Sequence, residues 1–94
     1  MRLDNIEKAA LSRALEDVNG EVYLFGSRVN NQEKGGDIDI LILSEENAYR
    51  LSQKVTTHFF IHCEETIDVV VMNPQKLTVE QQAFIDTLHL ERWQ

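Results

Sequence analysis

Residues 21–43 read EVYLFGSRVNNQEKGGDIDILIL, and the fold follows from how this stretch divides. Glu21-Val22-Tyr23-Leu24-Phe25 has the β-branched and aromatic composition of a short strand, and Gly26-Ser27 closes it. Residues 28–36 are polar, with paired Asn and paired Gly, which is the chemistry of a loop. Residues 37–43 alternate. In an extended chain Ile38, Ile40 and Ile42 face one way, while Asp37, Asp39, Leu41 and Leu43 face the other. One face of this second strand belongs in a core, and the other carries two carboxylates at one end.

The flanks supply the rest of a small domain. Residues 3–18 place Leu3, Ile6, Ala10, Leu11, Ala14, Leu15 and Val18 at spacings of three and four, an amphipathic helix stopped by Asn19-Gly20. After the second strand, Ser44 reads as an N-cap for a helix through His62, with Ala48, Leu51, Val55 and Phe59 on one stripe. Thr66-Ile67-Asp68-Val69-Val70-Val71-Met72 is a β-branched strand, in which Asp68 is the odd residue, and Asn73-Pro74 ends it. Thr78-Val79-Glu80-Gln81 has the form of a capping box opening a last helix over 79–88, with Ala83, Phe84 and Leu88 apolar. The tail from 89 to 94 suits either helix or a short edge strand. The expected fold class is α/β (α+β): one domain over 1–94, with a sheet of three to four strands and helices packed on one side.

Composition narrows the function. A chain of 94 residues has room for one core and no separate substrate domain. With 9 Lys+Arg against 16 Asp+Glu the net charge is -7, which argues against affinity built on covering phosphates with cations, and duplex nucleic acid is not an expected partner. Carboxylates still hold nucleotides when divalent cations lie between the two negative charges. Cys63 is the single cysteine, which leaves no intrachain disulfide and fits a reducing cytosol. No apolar run approaches the ~18 residues of a membrane span, and the first residues lack an apolar leader, so a cytoplasmic location is expected.

The chemistry-bearing constellation is Gly26-Ser27, nine residues, then Asp37-Ile38-Asp39-Ile40, with Asp68 on a later strand. A Gly-Ser turn after a strand lets backbone N–H groups and a small hydroxyl approach phosphate oxygens. Aspartates at i and i+2 on a strand share a face and share metal ions, and an Asp on a neighbouring strand closes the site; oxygen-only ligation suits Mg²⁺. Three carboxylates without a basic partner repel one another, and two Mg²⁺ ions bridging them to a triphosphate resolve that conflict.

At these residues the chain resembles the DNA polymerase β-like nucleotidyltransferase superfamily, whose signature is a hydrophobic residue, Gly, Ser or Gly, a short spacer and Asp-hydrophobic-Asp-hydrophobic. The similarity covers most of residues 22–72 and is closest to the minimal nucleotidyltransferases of bacteria and archaea. It implies the nucleotidyltransferase fold and transfer of a nucleoside monophosphate, AMP from ATP or another NTP, onto an acceptor hydroxyl with release of pyrophosphate. It further implies that Gly26 and Ser27 hold the β and γ phosphates and that Asp37 and Asp39 bind both metals. Asp68 would hold the catalytic metal and help accept the proton, and Arg28 would contact phosphate or serve the loop structurally. The sequence departs from many relatives at Asn31, where they carry Gly, and at Gly36, where they carry Ser; both replacements keep turn-compatible residues. The resemblance also implies a HEPN-type ribonuclease as partner in a toxin–antitoxin pair, with this chain as antitoxin. Alternatives are a non-catalytic antitoxin or binding subunit of the same fold, and transfer to a small molecule; a homo-oligomer stays open.

Other features carry plainer readings. His58 and His62 stand four apart near Cys63, Glu64 and Glu65, but two imidazoles on one helix lack the further ligands of a closed zinc site, and no HExxH is present. Cys63 reads as an inert, partly buried thiol. Phe59, Phe60, Phe84 and Trp93 read as core or partner surface in preference to base-stacking rings. Lys34, Lys76 and Arg92 read as solvated cations.

Overall fold

The computed structural model describes residues 3–26 and 37–94. The elements run α1 (Asn5–Leu15), β1 (Glu21–Phe25), β2 (Ile38–Leu43), α2 (Ala48–His62), β3 (Ile67–Met72), α3 (Val79–Thr87) and β4 (Glu91–Arg92). They form a mixed sheet in the order β3-β2-β1-β4. β1 runs antiparallel to both β2 and β4, whereas β2 and β3 are parallel and α2 makes the crossover that a parallel pair requires.

Alternation along β2 divides the sheet as the sequence implies. Ile38, Ile40 and Ile42 enter the main core with Val22 and Leu24 of β1, where they meet Ala10, Leu11, Ala14 and Leu15 of α1 and Leu51, Val55 and Phe59 of α2. Each large side chain fully buried there contributes roughly 1.5–3 kcal/mol. The two long helices thus share one side of the sheet. On the other side Phe25, Leu41 and Met72 form a thinner cluster, joined by Ile85 of α3 and by Leu88 and Leu90. The short α3 is therefore the exception to the one-sided packing of α1 and α2. It buries none of its residues fully.

Helix boundaries depart from periodicity where side chains find other backbone groups. α1 starts one residue after Asp4, whose carboxylate accepts the Glu7 N–H at 2.7 Å, while the Glu7 carboxylate accepts the Asp4 N–H at 3.0 Å. This capping box stands in the sequence as Asp-x-x-Glu. α2 begins at Ala48 with Asn47 as N-cap, not at Ser44. The buried Ser44 hydroxyl donates to the Asn19 carbonyl at 2.7 Å and accepts the Glu46 N–H at 3.1 Å, and its own N–H donates to the Met72 carbonyl. Ser44 therefore ties the turn before β1 to the ends of β2 and β3. Ala48, placed on the buried stripe by spacing, is exposed in the first turn of α2. The Thr78–Gln81 capping box of α3 forms as read, and the tail becomes the edge strand β4. Among the described residues no helix is long and apolar enough to cross a membrane.

Candidate active site

Register brings the informative residues into one row. Phe25 pairs with Asp39 across β1 and β2, and Asp39 pairs with Asp68 across β2 and β3. Paired residues of neighbouring strands point to the same face, so Phe25, Asp39 and Asp68 lie side by side on the face that carries α3. Asp68 is therefore on the same layer as Asp39, as the sequence reading requires. Asp37, two residues before Asp39, is exposed just ahead of β2.

Gly26 follows Phe25 and adopts φ +78, a left-handed conformation that costs other residues free energy. A Cβ built there would overlap Asp39 Oδ2 and stand 3.2 Å from its Cγ. The turn thus brings bare backbone against the middle carboxylate. Ser27 and Arg28, the other residues assigned to nucleotide binding, lie outside the described residues, as do Asn31 and Gly36.

The electrostatics set Asp39 apart. Its carboxyl is held above the ordinary carboxylate range, chiefly by burial between two strands and then by repulsion from Asp68 and Asp37. Asp39 therefore senses both acidic neighbours through space. Among the described residues, however, no three His, Cys, Asp or Glu side chains are drawn together closely enough to hold a metal ion.

A model of the nucleotidyltransferase domain matches residues 3–90. The chain belongs to the nucleotidyltransferase domain family. This places it in the DNA polymerase β-like superfamily and gives it nucleotidyl transfer as its general chemistry. No curated protein sequence matches the chain.

In this nucleotidyltransferase domain the oxygen-only donor set at Asp37, Asp39 and Asp68 fits a hard divalent cation. A cation there would offset the repulsion from Asp68 and Asp37 that adds to burial in raising Asp39. The sequence treats Asp37 and Asp39 alike, but the structure separates a half-buried central carboxylate from an exposed one. It also gives Phe25 a place beside the site, which strand alternation from Gly26 backwards was sufficient to signal. His58 and His62 are exposed on α2, and Cys63 is buried at its end.

Proposed function

We propose that the protein is a Mg²⁺-dependent nucleotidyltransferase that moves AMP from ATP onto an acceptor hydroxyl, and that its acceptor is carried by a HEPN-type protein to which it is antitoxin. The observation that carries the reading is the row Asp39–Asp68 beside Gly26, with the Asp39 carboxyl raised from its ordinary value by burial and then by its acidic neighbours.

Asp37 and Asp39 would hold the cations that bind the triphosphate, and Asp68 would complete the site nearest the attacking group. Bound there, Mg²⁺ supplies charge neutralisation on the triphosphate and on the departing pyrophosphate. The chain's own groups do the remainder. Gly26 keeps the wall of the site free of a side chain so that phosphate lies close to backbone, and Ser27 adds a hydroxyl. The acceptor oxygen forms a bond to the α-phosphorus, the bond from that phosphorus to the bridging oxygen of the β-phosphate breaks, and pyrophosphate leaves. Asp68, exposed on its strand, accepts the hydroxyl proton and returns it to solvent.

A binding role beside or instead of transfer is favoured by one surface. Ile6, Phe60 and Ile61 are all exposed and line a concavity of about 640 Å³ together with Asp4, Glu64 and Glu65. Exposed apolar side chains among acidic neighbours suit a basic protein partner more than a second copy of a chain of charge -7.

The deciding experiment incubates the protein with the candidate partner, α-labelled ATP and Mg²⁺. Transfer predicts label on the partner, abolished by Asp37→Asn. Neutralisation by contact alone predicts inhibition without label, unchanged by Asp37→Asn and relieved by Phe60→Ser.

A further inference from the structure

We infer that Phe84 is the platform on which the nucleobase stacks; this deepens the transferase reading and rests on it. Phe84 meets the ring of Phe25 edge to face, with centroids 6.0 Å apart and an interplanar angle of 89°. Phe25 is the cross-strand neighbour of Asp39, and strands in a sheet lie about 4.8 Å apart. The route from carboxylate to Phe84 therefore crosses one strand spacing and one ring contact on a single face of the sheet. Phe25 is 8% exposed and is spent on the core, whereas Phe84 is 39% exposed and keeps ring surface for a ligand.

Core packing does not account for Phe84. α3 buries no residue fully, yet its start is fixed by the two bonds of the capping box at Thr78 and Gln81, and Ile85 and Leu88 seat it against Phe25, Leu41 and Met72. The result is a capped short helix that holds a partly open aromatic ring against Phe25, the cross-strand neighbour of Asp39. The surface changes from carboxylate to phenyl along the row, as a magnesium nucleoside triphosphate changes from charged phosphates to a flat apolar base. Stacking needs no hydrogen-bonding atoms on the ring, and the larger faces of purines gain more from it.

The test measures binding of Mg²⁺–ATP and of Mg²⁺–tripolyphosphate to the full chain by calorimetry, with no acceptor present. The wild type is expected to bind ATP more tightly than tripolyphosphate. Phe84→Ala should weaken ATP by about 5- to 150-fold, the range that base–aromatic stacking spans on alanine substitution, and leave tripolyphosphate unchanged. Phe84→Leu keeps apolar bulk against Phe25 and should lose ATP affinity like Phe84→Ala, while Phe84→Trp should retain it; melting curves of all three confirm folding. Wild-type affinity in Phe84→Leu, or equal binding of ATP and tripolyphosphate by the wild type, overturns the platform while leaving the phosphate site intact. If neither probe binds the wild type, the transferase reading itself fails and the platform falls with it.

Discussion

Replacing Gly26 by alanine separates the chemistry of the site from the stability of the fold. The backbone at Gly26 has φ +78, and a residue with a Cβ pays about 1–2 kcal/mol to hold a left-handed conformation. For a domain of this size that corresponds to a melting temperature lower by on the order of 10 °C. The new methyl also overlaps Asp39 Oδ2. That atom is the free end of a rotatable side chain, so relief is cheap in stability: the carboxylate turns away. A displacement of about 1 Å in a positioned group costs roughly 10²-fold in rate. Gly26→Ala should therefore keep its fold and lose about two orders of magnitude in transfer, measured by labelled ATP well below the melting temperature of either protein. Gly20→Ala is the matched control at the far end of β1, where the Cβ would overlap the Leu43 backbone carbonyl, which cannot turn aside. It should cost more stability and spare transfer per folded molecule. Full transfer activity in Gly26→Ala would refute the claim that Gly26 is bare to make room for Asp39.

Asp39→Asn should raise the melting temperature at neutral pH without divalent cation. Because the folded carboxyl titrates above its ordinary value of 3.8, the folded state binds more protons than the unfolded chain between that value and the raised one. Stability falls as pH rises through this window, and the deficit persists above it; the variant lacks this fall, and its advantage disappears in acid below the window. Mg²⁺ should stabilise the wild type and not the variant. Ser44→Ala removes both bonds of a buried hydroxyl and leaves the Asn19 carbonyl and Glu46 N–H without it, so denaturant titration should show a loss of about 1–3 kcal/mol. Phe59→Ala should cost about 3–5 kcal/mol, whereas Phe60→Ser should change stability by no more than about 0.5 kcal/mol, since the first ring is buried and its neighbour is exposed.

Much of this site was legible because it depends on strand parity. Asp37 and Asp39 share a face by alternation alone, and Asp68 joins them once β2 and β3 pair in parallel, a pairing that the intervening helix permits. What alternation does not carry is depth. The central position of β2 makes Asp39 the desolvated carboxylate, and only the strand order shows that. Helix starts were harder, because Ser44, Asn47 and Asp4 are all competent caps. Ser44 is diverted by the Asn19 carbonyl, a partner 25 residues away in sequence that local pattern does not reveal. The place of α3 was also hidden, since its weak apolar face packs on a surface shared with charged groups. The link from Phe84 to Asp39 is equally hidden from local pattern, since it passes through Phe25, which meets Asp39 only across the sheet.

Uptake of nucleotide by the isolated protein tests the central claim most directly. Calorimetric titration of ATP should show binding with Mg²⁺ present, none after chelation, and none for Asp39→Asn in either condition. Binding of equal strength with and without Mg²⁺, or undiminished in Asp39→Asn, would contradict the account.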